Sequence, residues 1–294
     1  MSYTENICGS IPALITPFRQ GGDIDLNAFK SLLSWHVDKG SHGLVICGTT
    51  GESPTITDEE HLMLAQTAKQ SAPDGYPIIM GCGSNSTQKA ITLTLQAQSA
   101  SVDAALIVAP YYNKPSQQGI YAHFKAIHDA TDLPIILYNV PSRTIADIAN
   151  ETVIELAKLE RIIGIKDATG DLARLDTMKR SITKDFTFLS GDDMSAVQYI
   201  KRGGHGCISV SANVTPEKCA EIYNLTQNGD IEAAEAKDKV INPLHNAMFI
   251  EPSPAAAKYA LAEMGKIENI LRLPLLPLSA EGIKNIKNTL KQNL

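Results

Sequence analysis

Residues Ile162 to Gly170 read I-I-G-I-K-D-A-T-G, a short apolar run that ends on Lys166 and breaks into Asp167-Ala168-Thr169-Gly170. An apolar run of this length, closed by a glycine-containing break, predicts a buried strand rather than a helix. Side chains alternate faces along a strand, so Lys166 and Asp167 point opposite ways and do not simply neutralise each other. A lysine amine therefore projects from the end of a buried strand. Burial disfavours its ammonium form and makes a neutral amine available to attack a keto group and form a Schiff base. The alternative is a structural lysine whose stem packs and whose head reaches solvent or a carboxylate.

Working outward, similar apolar runs recur along the whole chain. Strands are predicted near Ile11–Ile15, Gly43–Cys47, Pro77–Cys82, Ala104–Ala109, Pro134–Tyr138, Ile162–Lys166, Phe186–Ser190 and Gly206–Val210. Amphipathic stretches of helical length separate them. Asp25–Lys39 places Leu26, Phe29, Leu32, Leu33, His36 and Val37 on one face, and Thr57 and Glu60 have capping-box spacing at the start of Thr57–Gln70. Further helices are expected over Ser86–Ala100, Gln117–Ala130, Thr152–Leu159, Leu172–Ile182 and Met194–Arg202.

Eight strands alternating with helices imply a parallel α/β arrangement, and the count favours a closed (β/α)8 TIM barrel. A doubly wound open sheet would place G-x-G-x-x-G after its first strand, where this chain has Thr16-Pro17-Phe18. From Thr215 onward the pattern is helical only, punctuated by Pro243, Pro252, Pro254, Pro274 and Pro277. The expected organisation is a catalytic barrel over 1–225 and a C-terminal helical extension over 226–294 that packs directly on it.

Composition narrows the function classes. The 294 residues are 44% hydrophobic and 20% charged, enough to bury a large core. Net charge is −6 with no Lys/Arg cluster, which argues against nucleic acid and anionic membranes as partners. No apolar stretch reaches the roughly 18–20 residues of a spanning helix, and Met1 to Ser10 lack a hydrophobic signal core. Five cysteines, Cys8, Cys47, Cys82, Cys207 and Cys219, form no C-x-x-C pair; a reducing cytoplasmic location is expected.

In a barrel of this kind the chemistry lies at the C-terminal ends of the strands. Strand 2 is followed by Gly48-Thr49-Thr50-Gly51-Glu52-Ser53, whose hydroxyls and backbone N–H groups suit a small carboxylate or form an ordinary turn. Strand 4 runs into Pro110-Tyr111-Tyr112-Asn113-Lys114-Pro115. Strand 5 ends in Tyr138-Asn139-Val140-Pro141-Ser142-Arg143, with a phenol within reach of a neighbouring strand end and a guanidinium fork for a carboxylate. Singly, Tyr138 and Arg143 could be structural. Together with Lys166 they describe an amine that forms an iminium, hydroxyls that move protons, and donors that hold an anionic 2-oxo acid.

The motifs G-T-T-G-E, P-Y-Y-N-K-P, L-Y-N-V-P-S-R, I-G-I-K-D-A-T-G and L-S-G-D-D resemble the pyruvate-dependent Schiff-base aldolase (N-acetylneuraminate lyase) family. The likeness runs from Gly9 to the last helix and includes L-R-L-P at Leu271–Pro274. Y-N-V-P-S-R and P-Y-Y-N-K-P point to the branch that condenses pyruvate with L-aspartate-4-semialdehyde, a step towards diaminopimelate and lysine. The resemblance implies that Lys166 forms the Schiff base without a cofactor or metal. It implies that Tyr138, Thr50 and Tyr112 relay protons, Tyr112 coming from the partner subunit of a tight dimer. Thr49 and Thr50 would hold the pyruvate carboxylate, Arg143 the aldehyde's carboxylate, and Gly191 and Ile208 would line the pocket. It further implies a homotetramer built as a dimer of dimers.

One departure concerns the inhibitory lysine site of some relatives, whose positions correspond here to Ser53, Pro54, Asp58, His61, Asn85, Lys89 and Tyr111. The inhibited pattern has histidine where Asp58 stands and glutamate where Lys89 stands. Lys89 sets a cation where the ligand's amino group needs an anion, so feedback by lysine is expected to be weak or absent. Two other classes remain as alternatives. A metal-dependent aldolase finds no H-x-x-x-H among the seven histidines, and His123 and His128 are five residues apart. A non-catalytic binding barrel has no need of a desolvated amine.

Overall fold

The apolar runs assemble into eight parallel strands: β1 (Gly9–Pro12), β2 (Leu44–Ile46), β3 (Ile78–Gly81), β4 (Ala104–Val108), β5 (Ile135–Asn139), β6 (Ile162–Asp167), β7 (Thr187–Ser190) and β8 (Gly206–Ser209). The computed structural model describes residues 3–293. Of the expected segments 1–225 and 226–294, residues 1, 2 and 294 therefore lie outside the described residues. The hydrogen-bonded order is β1-β8-β7-β6-β5-β4-β3-β2, and a parallel bridge from Ala13 to Val45 brings the two ends together. This is the (β/α)8 barrel that the alternation predicts. Element bounds agree with the sequence reading to within three residues; β1 begins and ends earlier than expected, because Ala13 and Leu14 contact β2 only through a short bridge.

Strand alternation divides the core into two layers. Ile11, Val45, Ile79, Leu106, Ile136, Ile163, Leu189 and Ile208 fill the barrel interior. Leu44, Ile46, Ile78, Met80, Ala105, Ile107, Leu137, Ile165 and Phe188 face the surrounding helices. Both faces are buried, which explains why the strands read as continuous apolar runs. Side-chain caps set the helix starts: Asp25, Thr57, Ser86, Ser116 and Asp171 each accept backbone N–H groups of the following turn. Thr57 and Glu60 form the reciprocal capping box.

β6 departs from simple alternation. Ile135 pairs with Ile162 but Ile136 pairs with Gly164, so β6 carries one extra residue. Ile163 points inward; strict alternation from there would aim Ile165 inward and Lys166 at the helices. The irregularity reverses the parity: Ile165 joins the outer layer, and Lys166 pairs in register with the inward-facing Tyr138. Gly164 permits this, since a Cβ there would lie 2.6 Å from the carbonyl oxygen of Thr187.

The last helices, Pro216–Gln227, Ile231–Ala247, Ala255–Glu263 and Ala280–Asn293, follow the eighth strand. They touch the barrel through specific polar contacts. His245 Nδ1 lies 2.7 Å from Ser211 Oγ, and Arg272, in the segment between the last two helices, reaches Glu60 at 2.5 Å. Among the described residues no helix is long and apolar enough to cross a membrane.

Candidate active site

Backbone strain marks one end of the barrel. Among the described residues, the non-glycine residues in the left-handed region are Cys47, Glu52, Tyr112, Lys114 and Ile145, all in turns that follow β2, β4 or β5, and Ser101 at the opposite end. Such conformations persist where surrounding structure over-determines them, commonly at functional sites.

At that end Lys166 is 6% exposed, and its Nζ lies 4.2 Å from the centroid of the Tyr138 ring. Its neighbour Asp167 faces outward and is occupied: it accepts from Arg174 Nε at 2.8 Å, Thr169 N–H at 2.9 Å and Thr169 Oγ1 at 2.6 Å. The expectation that Lys166 and Asp167 serve opposite faces is met, and Asp167 does not neutralise the amine. Gly191 lies against the lysine stem; a Cβ there would come within 2.8 Å of Lys166 Cε. Its absence leaves the path to the amine free. Ile208 is buried in the interior layer beside Leu189 and Tyr138.

A cavity of about 560 Å³ opens above these residues, with Thr49, Tyr138, Val140, Arg143 and Thr144 in its wall. Lys166 and Thr50 lie outside that wall, both buried. Arg143 sits on the short helix Pro141–Thr144 that begins directly after β5, which holds its exposed guanidinium near the cavity. A donor fork at the mouth, a threonine turn on one side and a phenol in the wall, with the buried amine against the ring of that phenol, can hold two small carboxylic acids and move protons to and from them.

The same cavity continues to Ser53, Pro54, Asp58, His61, Lys89 and Tyr111, so Tyr138, Thr49 and Arg143 share one cleft with most of the expected regulatory residues. Asn85 stands apart; its carbonyl accepts from the Asn113 side chain at 2.9 Å. Lys89 does not stand as a free cation, because its ammonium pairs with Asp58. His61 is buried with Nδ1 unpartnered, and burial depresses its pKa. Tyr112 is 87% exposed and outside the cavity wall, and Tyr111 is also exposed, so neither aromatic of that loop enters the core.

Two polar arrangements escaped the sequence reading. Asn139 and Asp167, at the ends of β5 and β6, tie down the loop after Arg143. Asn139 donates to Asp147 at 2.7 Å and accepts from Ile148 N–H at 3.0 Å, and Arg174, which is bound to Asp167, donates to Ile148 O at 2.7 Å. The second is a buried ion pair between Glu52 and Lys258. Its one sequence signal is a lone charge within the apolar run Ala255-Ala256-Ala257-Lys258-Tyr259-Ala260-Leu261. Among the described residues no group of three or more His, Cys, Asp or Glu side chains stands close enough to hold a metal ion.

A barrel with a lysine at the end of strand six, a tyrosine beside it on strand five and a threonine turn after strand two defines a lyase of the Schiff-base aldolase class. Comparison with known proteins narrows this. The profile of the dihydrodipicolinate synthetase family matches residues 6–293, and the chain belongs to that family. It is 50% identical over 273 residues to the 4-hydroxy-tetrahydrodipicolinate synthase of Nitrosospira multiformis, covering 93% of this chain and 91% of that one. Among solved structures it resembles the chloride-inhibited dihydrodipicolinate synthase of Acinetobacter baumannii in complex with pyruvate, at TM-score 0.95 and 42% identity over 98% and 99% of the two chains. A monomeric dihydrodipicolinate synthase variant matches at TM-score 0.95 and 36% identity over 99% and 98% of the chains.

Proposed function

We propose that this chain condenses pyruvate with L-aspartate-4-semialdehyde to give 4-hydroxy-2,3,4,5-tetrahydrodipicolinate, with Lys166 as the Schiff-base residue. The observation that carries the assignment of Lys166 is its buried Nζ, 4.2 Å from the Tyr138 ring and away from the carboxylate of Asp167. The neutral amine attacks C2 of pyruvate, a proton passes to the carbonyl oxygen, and water leaves as the iminium forms. Loss of a C3 proton gives the enamine, whose C3 attacks the aldehyde carbon while the new alkoxide takes a proton. The bound product's amino group then attacks C2, the ring closes, and Lys166 departs as free amine. No cofactor enters, because the covalent bond to lysine is the electron sink.

Every step moves a proton, which is the role we give Tyr138, Thr50 and Tyr112, the last from a second copy of the chain. The exposure of Tyr112 agrees with a residue completed across an interface. Thr49 and Thr50 receive the pyruvate carboxylate, Arg143 the carboxylate of the aldehyde, and Gly191 and Ile208 shape the pocket. We infer a homotetramer, a dimer of dimers, in the cytoplasm; the five free cysteines suit a reducing compartment.

Borohydride treatment with pyruvate should attach a reduced pyruvyl group at Lys166, detected by peptide mass, and Lys166→Ala should abolish both adduct and turnover. An unmodified Lys166, or an active alanine variant, sinks the assignment. Feedback by lysine should be weak. Asp58 cancels the net charge of Lys89, yet that pairing also occupies the carboxylate a ligand's ammonium would need. Inhibition by sub-millimolar lysine in a steady-state assay would contradict this.

A further inference from the structure

Lys166 is not the only lysine taken out of water. Lys258, on the helix Ala255–Glu263, is fully buried, and its ammonium pairs with the carboxylate of Glu52, which is buried as well. Replacing such a pair by apolar side chains is often neutral or stabilising, so its presence is not explained by fold stability alone. Its location supplies a reason. Glu52 closes the turn Gly48-Thr49-Thr50-Gly51-Glu52 and is held at φ 59°, a conformation that side chains other than glycine adopt only under constraint.

The constraints come from several parts of the chain. On the β1 side, Thr16 Oγ1 donates to Gly51 O at 2.7 Å, and Glu52 N–H donates to Thr49 O at 3.1 Å. Beneath, the Glu52 carboxylate accepts from Arg272 N–H at 3.0 Å and faces Lys258. Lys258 donates to Ile270 O at 2.8 Å and lies 4.0 Å from the centroid of Phe18, over which the Arg272 guanidinium also stacks at 4.4 Å. Arg272 itself is fixed by Glu60, Thr55 O and Gly22 O. A single carboxylate thus fastens the threonine turn to the C-terminal segment, with its charge compensated out of solvent.

We infer that Glu52 and Lys258 are positioning residues for the 2-oxo acid, fixing the Thr49–Thr50 turn at the height where its donors meet the pyruvate carboxylate while Lys166 meets the ketone. This rests on the function proposed above. It assigns the C-terminal segment a specific duty at the first substrate step, separate from the Arg143 side where the aldehyde is held by other elements.

The test measures the pyruvate concentration that gives half-maximal borohydride trapping at Lys166, alongside the aldehyde KM, in the full-length protein. Glu52→Gln and Lys258→Met should each raise the pyruvate value about tenfold, because small misplacements of a binding group are costly, with the aldehyde KM shifted less than about twofold. The double variant leaves no buried charge orphaned, so it should regain stability in a thermal melt yet keep the raised pyruvate value, because the ionic link between turn and C-terminal segment is still missing. Unchanged trapping in a folded single variant, an equal rise for both substrates, or a double variant that traps pyruvate at the wild-type concentration overturns the inference. Should Lys258→Met fail to fold, Glu52→Gln decides alone, since the amide keeps the shape and still accepts from Arg272 N–H. Absence of trapping in the wild type, by contrast, removes the Schiff-base reading itself.

Discussion

Tyr138 is the side chain on which the chemistry of Lys166 depends most closely. The two lie in register on adjacent strands, and the amine sits over the ring face rather than in line with the hydroxyl. The phenol is the group able to carry protons to the carbonyl oxygen of a bound keto acid. Tyr138→Phe keeps the ring and removes the hydroxyl. We expect kcat to fall by about 10²–10³-fold with the fold intact, the lower part of the range of general acid–base contributions. Stopped-flow turnover with a thermal melt as control checks this; a fall below about threefold would mean the proton travels another way.

At the scale of the element, the irregularity in β6 decides the direction of the lysine. Gly164 sits where Ile136 finds its partner, and no side chain fits there against Thr187. Gly164→Ala must displace β7 or straighten β6. We expect a loss of roughly 1–3 kcal/mol in stability, the usual cost of overpacking. Activity should drop further than that loss explains, because Lys166 lies two residues on. Denaturant titration beside kcat measurement separates the two effects; proportionate losses would show that the bulge serves packing only. The same reasoning covers Arg174, which joins the end of β6 to the loop after Arg143 through Asp167 and Ile148.

For the whole molecule, acid is the expected weakness. His36 on the helix Leu26–Asp38 and His123 on the helix Gln117–Ala130 are buried, and burial pushes their pKa values down to about 3 and about 4. Both stay neutral in the folded barrel while the unfolded chain protonates near pH 6.5, so the unfolded state binds more protons between those values. Stability is full above about pH 6.5 and declines as pH falls; by pH 5 each histidine should remove about 2 kcal/mol. Urea titrations at pH 7.5 and pH 5 should show this. A His36→Gln/His123→Gln double variant should flatten the dependence; a double variant as acid-sensitive as wild type would place the titration elsewhere.

The division of labour between chain and fold follows from these cases. Continuous apolar strands, capped helices and strand-end motifs are local properties, so the order of elements and the motif residues Lys166, Tyr138, Thr49 and Arg143 were readable along the chain. The inward aim of Lys166 was not. Simple alternation from Ile163 points it at the helices, and only pairing with β5 introduces the extra residue that reverses the face. Nor could the sequence join Glu52 to Lys258, or Lys89 to Asp58, because each pair is brought together by closure of the barrel and docking of the last helices rather than by spacing. Composition and period act through neighbours in the chain; charge compensation and side-chain direction act through neighbours in space.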